Sequence, residues 1–493
     1  MIELSSLLNI SNEKSKKSDY KLRRPRRTED LREYRIVEGK KRSEKTFRSL
    51  HLVEKELKVA LIFPSSYETA ISNLGFHRVY ELLNHVEGIQ CERFFYDRRF
   101  SRYYSLDTYR PLDEFHIWAF SVSFEMDFIN VVTLLRDKGI PLKNTDRTQY
   151  HPLVLLGGAV TYFNPDALWH YVDLIFHGDA EDSLQPLMQQ LREGYRTKTD
   201  RTRILEQLKP FENLSIPPLH HESTTIAKSF TLTHQPACSV FTSKQSVFPD
   251  KVLLEIGRGC LRSCAFCVAG HTRNPVRFVQ LDVIRSIIDE MQTKGFTDCG
   301  LISATFTDHP NKHEILDLLE ERNIKFSVSS LRLDALSEQL IDGLMRSGQR
   351  EITIAPEGGS QKIRDLMHKE ITEEDIERSL RLIGEKGLQR LKMYFIYGFE
   401  EEVEADFEAI GKITERARFY GITDIRISLN PLIPKPSTPF STRKIEDIKI
   451  LKSKKHLIEK ILGKTVDLKF ESIRTCIQQY QIATANKDFK GFE

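Results

Sequence analysis

The most informative segment of this sequence covers residues 255–267 and reads EIGRGCLRSCAFC. It contains three cysteines, Cys260, Cys264 and Cys267, at the spacing C-x3-C-x2-C, and no fourth cysteine follows nearby. Three thiolates this close can hold three corners of an iron-sulfur cluster and leave one iron open. The two glycines of the segment allow the backbone to wrap around a bulky inorganic core. An open iron can bind a substrate or cofactor, whereas a site with four protein ligands is usually structural or transfers electrons.

A motif of the form C-x3-C-x-aromatic-C directly after a strand resembles the signature of the radical S-adenosylmethionine (radical SAM) superfamily. The strand is expected at residues 252–256. The resemblance implies that Cys260, Cys264 and Cys267 hold a 4Fe-4S cluster, and that SAM chelates the open iron through its amino and carboxylate groups. It also implies reductive cleavage of SAM to a 5′-deoxyadenosyl radical, with Phe266 packed near the adenine.

A zinc site is the main alternative interpretation of these cysteines. Zinc in a structural role takes four ligands, and His271, four residues after Cys267, can supply the fourth. The strand that leads into the cysteines, and the alternating strands and helices that follow, favour the cluster instead.

After the cysteines the sequence alternates between strand and helix patterns. Strands are expected at 252–256, 298–303, 325–330, 351–355, 390–396 and 424–429, and helices at 281–293, 312–322, 335–346, 373–386 and 402–420. Six strands with five helices between them predict a (βα)6 partial TIM barrel over residues 250–440, with its active site at the carboxyl ends of the strands. The proline-rich segment 430–440 resembles a segment of one radical SAM subfamily, which implies that it lies by the open mouth, and a rigid exit linker is the alternative. Residues 441–493 are expected to form a C-terminal cap.

Several polar residues lie near the carboxyl ends of the predicted barrel strands. Glu357 belongs to the segment APEGGS, which resembles a segment of radical SAM proteins near the methylthiotransferase and cobalamin-dependent groups. Its carboxylate can accept hydrogen bonds from the ribose diol or amino group of SAM, or it can favour a helix N-terminus. Lys392 can pair with the SAM carboxylate or with Glu357. Further candidates are Ser303, Asp308 and Arg332.

A second α/β pattern precedes the barrel. Strands expected at 58–63, 91–96, 116–123, 153–156 and 172–176, with helices between them, predict a doubly wound, flavodoxin-like sheet over residues 56–195. Ligands of such sheets bind beyond the carboxyl ends of the strands, where Ser121, Ser123, Gly157 and Gly158 are found. Residues 196–249 are expected to be a connector with a hairpin made from segments 229–233 and 239–241.

Ahead of a radical SAM barrel, this domain resembles the cobalamin-binding module of one large class of these enzymes. The resemblance implies that Ser121, Ser123, Gly157 and Gly158 contact the nucleotide tail of the cofactor. The Asp-x-His-x-x-Gly element, whose histidine coordinates cobalt in some cobalamin proteins, is missing, and the neighbours of His77 do not match it. Two alternatives stay open: cobalamin binds without a protein histidine on cobalt, or the fold persists without the cofactor.

The composition is that of a soluble globular protein. The chain has 493 residues, of which 40% are hydrophobic and 29% charged, and this length suggests about two to four domains. No apolar run reaches the roughly 18 residues of a membrane span, and residues 1–10 lack the cleavage site of a secretory signal. Three of the seven cysteines are clustered, which indicates thiols kept reduced for metal, so the cytoplasm is the expected compartment.

Positive charge is concentrated near the N-terminus. Residues 11–48 contain 15 Lys or Arg and 7 Asp or Glu, in a chain whose net charge is +3. The string KLRRPRR at 21–27 can contact RNA or an acidic protein. A basic, partly disordered arm over residues 1–55 is the simpler interpretation.

Three functions are consistent with these features. The first is a radical SAM enzyme that takes electrons from a reductant such as flavodoxin or ferredoxin and, if cobalamin binds, transfers a methyl group or rearranges a carbon skeleton. The second is methylthiotransferase-like modification of RNA or protein. That family usually carries a second set of three cysteines, whereas Cys91, Cys238, Cys299 and Cys476 are scattered here. The third is a non-catalytic iron-sulfur protein that binds nucleic acid or acts as a sensor. The substrate is not predicted.

Overall fold

The computed structural model describes residues 28–50, 54–329, 331–463 and 466–492. The basic string at 21–27, which was considered for RNA contact, lies outside these residues. The described chain has a mixed α/β fold with parallel sheets. We call the part with the first of these sheets the N-terminal unit and the part that follows, after its predicted architecture, the barrel unit. Among the described residues, no helix is both long enough and apolar enough to cross a membrane.

The N-terminal unit is built around one six-stranded sheet. Its strands are β2 (Leu57–Phe63), β3 (Ile89–Phe95), β4 (Ile117–Ser121), β5 (Leu153–Gly157), β6 (Leu174–Phe176) and β7 (Leu214–Ser215), in the order β3-β2-β4-β5-β6-β7. Its helices are α2 (Tyr67–Ala70), α3 (Leu74–His85), α4 (Phe128–Asp137), α5 (Leu184–Arg196) and α6 (Arg201–Gln207). The first five strands in this order are parallel, and β7 is antiparallel to β6. The five predicted strands therefore all occur, and β2, which reads LKVALIF, is buried almost throughout because both sheet faces are covered.

The described part of the segment before this sheet, residues 28–50, is structured, whereas a basic, partly disordered arm is expected over residues 1–55. It contains helix α1 (Thr28–Arg42) and strand β1 (Glu44–Thr46). Tyr34 and Val37 of α1 are buried in the core of the N-terminal unit. The Glu33 carboxylate accepts hydrogen bonds from the backbone N–H groups of residues 101, 102 and 104 at 2.9, 3.0 and 3.1 Å. Phe47 enters the core of the barrel unit. A few buried anchors therefore order this charged segment, which composition alone did not indicate.

The hairpin expected in the connector is also wrong for the described residues. Segment 229–233 holds a 3-10 turn, Thr231–Thr233, and strand β8 (Phe241–Ser243) pairs antiparallel with β1. Part of the connector, β7 and α6, belongs to the N-terminal unit instead. Short strand patterns do not specify their partner, and here the partner lies about 200 residues earlier in the chain.

The barrel unit contains all six predicted strands and five predicted helices. Its main strands are β9 (Val252–Glu255), β12 (Asp298–Ile302), β13 (Lys325–Val328), β14 (Glu351–Glu357), β15 (Arg390–Tyr397), β16 (Asp424–Pro431) and β17 (Asp467–Phe470). Two short strands, β10 (Gly257–Arg258) and β11 (Arg277–Phe278), lie beside the cysteines. The helices are α7 (Ala269–Thr272), α8 (Leu281–Thr293), α9 (Lys312–Glu321), α10 (Glu338–Arg346), α11 (Gln361–Leu366), α12 (Glu373–Glu385), α13 (Glu404–Phe419), α14 (Ile448–Leu462) and α15 (Ile473–Ala483).

The main strands form two parallel sheets rather than one. Their orders are β13-β12-β9 and β14-β15-β16-β17, and no strand pairing joins β13 to β14 within the described residues. Strand β17 comes from the segment expected to be a cap. It pairs with the edge of β16, since an unpaired strand edge offers hydrogen-bonding groups to a further strand.

Candidate functional site

The loop that carries the cysteines follows β9 and is closed at its base by the antiparallel pair of β10 and β11. Gly259 has a φ of +96°, and a Cβ there would lie 2.8 Å from the carbonyl oxygen of Arg273, so the position requires glycine. Cys264 is buried, whereas Cys260 and Cys267 are partly exposed. The cysteine loop (residues 259–268) therefore presents three thiols on a tightly turned backbone.

His271, the possible fourth zinc ligand, contacts the backbone of this loop. Its Nε2 lies 3.0 Å from the carbonyl oxygen of Cys264. In the described ranges of the chain, no three His, Cys, Asp or Glu side chains converge on one metal-ion position. A 4Fe-4S cluster does not need such convergence, because each thiolate binds a different iron. Three thiols without a fourth therefore fit a cluster with one open iron.

Two further segments hold the cysteine loop in place. The Ala265 N–H donates to the carbonyl oxygen of Met367 at 2.8 Å, and the Ala265 carbonyl accepts from the Phe440 N–H at 3.2 Å. Phe266 is partly buried against the apolar cluster that these segments form, which consists of Ala265, Ile363, Met367, Phe399, Leu432 and Phe440. The proline-rich segment therefore does reach the cysteine loop.

Glu357 ends β14 in an uncommon backbone conformation. Its φ is +66°, and the pairing of β14 with β15 shifts register between Ile354 and Glu357. The Lys369 Nζ donates to Glu357 Oε1 at 3.3 Å and lies 5.8 Å from the centre of the Phe266 ring. Burial raises the pKa of Glu357, and Lys369 offsets part of that rise. Lys369 thus joins Glu357 to the cysteine loop, and sequence reasoning missed it because the contact depends on the turn after α11.

A buried arginine fixes the segment that follows Glu357. Arg364 donates to the carbonyl oxygens of Gly358 at 3.1 Å, Gly359 at 2.9 Å and Ile371 at 2.9 Å. The Ser360 hydroxyl caps helix α11. The cap function that was considered for Glu357 is therefore performed by Ser360.

The remaining barrel candidates do not all converge on the cysteine loop. Ser303 follows β12, and its N–H donates to Ser329 Oγ at 3.2 Å. Lys392 lies in the first half of β15, with its Nζ 4.7 Å from the centre of the Tyr394 ring. The predicted Lys392–Glu357 salt bridge is wrong, because the register pairs Lys392 with Thr353, four residues before Glu357.

Asp308 and Arg332 lie closer to the cysteine loop than Lys392 does. Arg262, within the loop, forms an ion pair with Asp308, at 2.9 Å between Nη2 and Oδ1. The Arg332 Nη2 donates to the carbonyl oxygen of Lys369 at 3.3 Å. Both residues therefore support segments that surround the cysteines.

A cavity of about 450 Å³ lies between the two units, which we call the interdomain cavity. Ser121, Ser123, Gly157 and Gly158, all from the carboxyl edge of the N-terminal sheet, contribute to its lining. The barrel unit contributes Glu255, Arg258, Arg273, Ile302 and Ser329. The carboxyl ends of the parallel strands in both units therefore face this cavity. On the side of the barrel unit, its lining includes Arg258, which is two residues before Cys260.

Arg258 connects the base of the cysteine loop to the N-terminal unit. Its guanidinium forms ion pairs with Asp179 at 2.6 Å, Glu181 at 2.9 Å and Glu255 at 2.8 Å. Asp179 also pairs with Arg277 at 2.6 Å and accepts a hydrogen bond from the Tyr162 hydroxyl. Burial favours the neutral carboxyl, but Arg258, Tyr162 and Arg277 hold the pKa of Asp179 at about 2.

A second contact between the units involves the proline-rich segment. Lys435 forms an ion pair with Glu125, which is buried beyond the carboxyl end of β4. Gln479 of α15 also donates to Glu125, at 3.0 Å. Burial lowers the pKa of Lys435 to about 8. The segment next to the cysteine loop is therefore tied to both the N-terminal unit and the C-terminal helix.

Three thiols with no fourth ligand, next to a cavity shared with a parallel α/β sheet, are the arrangement typical of an iron-sulfur protein with one open iron. The family model for the N-terminal region of radical SAM proteins matches residues 75–217, and the model for the radical SAM superfamily matches residues 254–412. The chain belongs to the radical SAM superfamily, whose members are enzymes that use a 4Fe-4S cluster and SAM.

Similar sequences fall into two groups. An uncharacterized protein of Methanocaldococcus jannaschii is 26% identical over 438 residues, which cover 88% of this chain and 90% of that protein. A tRNA-2-methylthio-N(6)-dimethylallyladenosine synthase of Helicobacter pylori is 23% identical over 34% of this chain and 42% of its own length. The ribosomal protein uS12 methylthiotransferase RimO of Pelobacter propionicus is 26% identical over 34% of this chain and 40% of its own. The matches to these two methylthiotransferases therefore cover less than half of each protein.

Among solved structures, a similar one is the radical SAM methyltransferase TsrM of Kitasatospora setae, determined with cobalamin and a [4Fe-4S] cluster bound. The TM-score is 0.52 at 16% identity, and the match covers 78% of this chain and 76% of that one. At this level of identity the comparison establishes a shared fold.

Proposed function

We propose that this protein is a radical SAM methyltransferase with two adjoining ligand sites, one at the cysteine loop and one in the interdomain cavity. Cys260, Cys264 and Cys267 would hold the cluster. When bound and reduced, the cluster supplies the electron that cleaves SAM. The observation that carries the proposal is the position of the interdomain cavity, which opens between the carboxyl edges of both units and touches the base of the cysteine loop.

Groups around the cysteine loop support a SAM site. The Glu357 carboxylate can accept hydrogen bonds from the SAM amino group or ribose, and Lys369 balances its charge. Phe266 offers an aromatic face for the adenine, and Ser303 offers a hydroxyl at the end of β12. Lys392 is a weaker candidate, because it lies in the first half of its strand.

The interdomain cavity suits part of a cobalamin molecule. Its 450 Å³ falls within the usual range for small-ligand sites, about 300 to 1,000 Å³, and is too small for a corrin ring with its tail. Ser121 and Ser123 supply hydroxyls. A Cβ at Gly157 would meet only the Phe120 carbonyl oxygen, at 4.0 Å, so the space above this residue is open. We therefore propose that the nucleotide tail of cobalamin occupies this cavity.

The N-terminal unit offers no cobalt ligand at His77. This side chain is fully buried, with Nε2 at 2.9 Å from the Ile71 carbonyl oxygen and Nδ1 accepting from the Val240 N–H at 3.1 Å. Burial lowers the pKa of His77 to about 4, which keeps the ring neutral. Of the two cobalamin alternatives that the sequence left open, we propose binding without this histidine on cobalt.

The organisation of the chain supports the same proposal. The order β3-β2-β4-β5-β6 is the one expected of a flavodoxin-like sheet, and the six predicted barrel strands support a (βα)6 partial barrel. We retain the division into an N-terminal α/β domain and a barrel, near residues 56–195 and 250–440. A flavodoxin or ferredoxin is the proposed electron donor.

Methylthiotransferase-like modification is the second candidate, favoured by the relatives with that activity. A second cluster would need three more cysteines close together. Cys91, Cys238, Cys299 and Cys476 are all buried and lie on four separate segments of the chain. The structure of this chain therefore favours methyl transfer without sulfur insertion.

Corrinoid binding tests the proposed function directly. Protein with a reconstituted cluster would be mixed anaerobically with hydroxocobalamin, separated from free ligand and measured by absorbance. We expect about one corrinoid per chain, together with 5′-deoxyadenosine formation from SAM. Cleavage of SAM without corrinoid binding would overturn methyl transfer by cobalamin and leave the radical SAM assignment in place.

A further inference from the structure

One arginine in the wall of the interdomain cavity has a guanidinium without a hydrogen-bond or ion-pair partner among the described residues. Arg273 contributes to the cavity lining, and its guanidinium forms no hydrogen bond or ion pair with any residue that the structure describes. It lies over the Tyr162 ring, 5.0 Å from the ring centre. A guanidinium stacked on an aromatic ring keeps its in-plane N–H donors available. Arg273 is therefore held in place without using its hydrogen-bonding capacity.

A second arginine in the same wall has a buried donor without a partner. Arg78 is 8% exposed, and its Nε makes no hydrogen bond within the described chain. The Glu181 Oε1 lies 3.9 Å from this Nε, which is too far for a hydrogen bond. The Arg78 Nη1 is bonded to Glu81 at 2.8 Å, which fixes the side chain. Buried donors are rarely left unpaired in native proteins, so a ligand acceptor is expected nearby.

The first turn of α3 adds backbone donors to this wall. Leu74 and Gly75, the first two residues of the helix, line the cavity together with Arg78 one turn later. Their N–H groups precede the internal hydrogen bonds of the helix, as at any helix start. The N-cap Asn73 accepts from the Phe76 N–H at 3.0 Å. A helix N-terminus with a buried, unpaired arginine donor favours binding of an anion.

The charge around the cavity also favours an anion. The connected groups near Tyr162 are four cations, Arg258, Arg273, Arg277 and Lys228, and three carboxylates, Asp179, Glu181 and Glu255. All three carboxylates are engaged by Arg258. The four cations exceed the three carboxylates by one positive charge, and neither Arg273 nor Lys228 forms an ion pair within the described residues.

We propose that Arg273 and Arg78 bind an oxyanion of the ligand in the interdomain cavity. This rests on the proposed function, because the tail of cobalamin carries a phosphodiester that would be this oxyanion. The carboxylate of SAM or of a substrate has the same chemistry and is the other source to test. The two arginines are binding residues with no role in the chemical steps.

Three corrinoids separate the phosphate from the rest of the cofactor. Cobinamide has the corrin ring but no phosphate, cobinamide phosphate adds the phosphate alone, and hydroxocobalamin carries the complete tail. Binding of each would be measured by absorbance titration under anaerobic conditions, for wild-type protein and for Arg273→Gln and Arg78→Gln. Binding of SAM would be measured on the same proteins by equilibrium dialysis. Arg203→Gln, an exposed substitution on α6 away from the cavity, is the matched control.

We expect Arg273→Gln to weaken hydroxocobalamin and cobinamide phosphate by about tenfold or more, the usual effect of losing a hydrogen bond to a charged group. Cobinamide affinity should change by less than about twofold. Arg78→Gln should show the same pattern, although its lost pair with Glu81 can also lower stability, so its folding would be checked by circular dichroism. Arg203→Gln should leave all affinities unchanged.

The other outcomes are distinguishable. If wild-type protein binds no corrinoid, the cobalamin part of the proposed function fails, and the phosphodiester assignment fails with it. If wild type binds corrinoids and Arg273→Gln binds all three as well as wild type, and SAM too, the oxyanion site is overturned while the proposed function stands. A loss confined to SAM would support the oxyanion site with a carboxylate as its ligand. An equal loss for cobinamide and cobalamin would overturn phosphate recognition and indicate a packing role.

Discussion

Arg258 and Asp179 form an ion pair that joins the two units, with 2.6 Å between Nη1 and Oδ1. Arg258 is two residues before Cys260, the first cysteine of the motif, and Asp179 lies beyond the carboxyl end of β6 in the wall of the interdomain cavity. The cysteine loop and the cavity therefore share one supporting contact.

Replacing Asp179 should destabilise the protein strongly. Asp179→Asn removes the carboxylate that balances the buried Arg277 and one of the three that pair with Arg258, which we expect to cost about 3 kcal/mol. The change would be measured as a lower midpoint of thermal unfolding followed by circular dichroism. Glu193→Gln breaks an exposed ion pair with Arg196 and should leave the midpoint unchanged. Equal midpoints for Asp179→Asn and wild type would show that the pair does not contribute to stability.

The same pair predicts a pH dependence. Because the folded protein holds the pKa of Asp179 at about 2, below its ordinary 3.8, this carboxylate stabilises the fold fully above about pH 4. The stabilisation is lost as pH falls through about 2. The difference in unfolding midpoint between wild type and Asp179→Asn should therefore be constant from pH 5 to 7 and shrink below pH 4. A difference that stayed constant down to pH 2 would contradict the shifted pKa.

SAM affinity should depend on Glu357. Glu357→Gln removes the charge that faces Lys369 and the proposed SAM amino group, and we expect about tenfold weaker SAM binding with unchanged iron content. Equilibrium dialysis with labelled SAM measures the affinity, and a colorimetric assay measures the iron. Glu351→Gln, at the opposite end of β14, is the matched control and should bind SAM normally. If both variants bound SAM as wild type does, Glu357 would have no part in the site.

Two adjacent glycines should respond differently to alanine. A Cβ at Gly158, which has a φ of +101°, would lie 2.4 Å from the Val122 carbonyl oxygen, so Gly158→Ala should lower the unfolding midpoint. A Cβ at Gly157 would be 4.0 Å from its nearest neighbour, so Gly157→Ala should fold normally and weaken hydroxocobalamin binding. Normal corrinoid binding by a well-folded Gly157→Ala protein would show that the ligand does not approach this backbone.

Binding of phosphate-bearing corrinoids should weaken as pH rises through about 8. Burial lowers the pKa of Lys228 to about 8, with Asp179 opposing the shift and Arg273, Arg277 and Arg258 adding to it. Lys228 is positive below this pH and neutral above it, so the attraction for an anion near Arg273 decreases. Titrations of cobinamide phosphate from pH 7 to 9 measure the effect, with Lys228→Met as a variant that should lack it. A pH-independent affinity in the wild type would contradict a contribution from Lys228.

The sequence predicted the positions of the helices and strands better than it predicted which strands pair with each other. Strand and helix periodicity located the five strands of the N-terminal sheet and the six barrel strands, because burial on one or both faces imposes the pattern locally. The pairing of β8 with β1 was missed, and so was the pairing of β17 with β16, since neither strand carries a local signal of its distant partner. Helix α1 was missed because its two buried apolar residues are outnumbered by charged residues.

For the candidate site, the cysteine motif carried most of the information. Its spacing, together with the strand before it and the strands and helices after it, favoured a cluster over zinc. The glycines and serines that line the cavity were selected because strand ends are recognisable in sequence. Lys369, Arg258 and Asp179 were missed, because each acquires its role through a contact made across the fold. Lys392 was selected because polar and apolar residues alternate along its strand. The alternation predicts which face of the sheet a side chain lies on, but not how far it lies from the carboxyl end of the strand.

Low-temperature EPR of the reduced, anaerobically reconstituted protein, with and without SAM, tests cluster chemistry at Cys260, Cys264 and Cys267. A chromatographic assay for 5′-deoxyadenosine would accompany it, with Cys264→Ala as the variant and Cys299→Ala, a buried cysteine outside the motif, as the control. We predict a 4Fe-4S signal that SAM perturbs, with 5′-deoxyadenosine formed by wild type and the control and lost in Cys264→Ala. A signal that does not respond to SAM, or 5′-deoxyadenosine formation that survives Cys264→Ala, would contradict a radical SAM site at these cysteines.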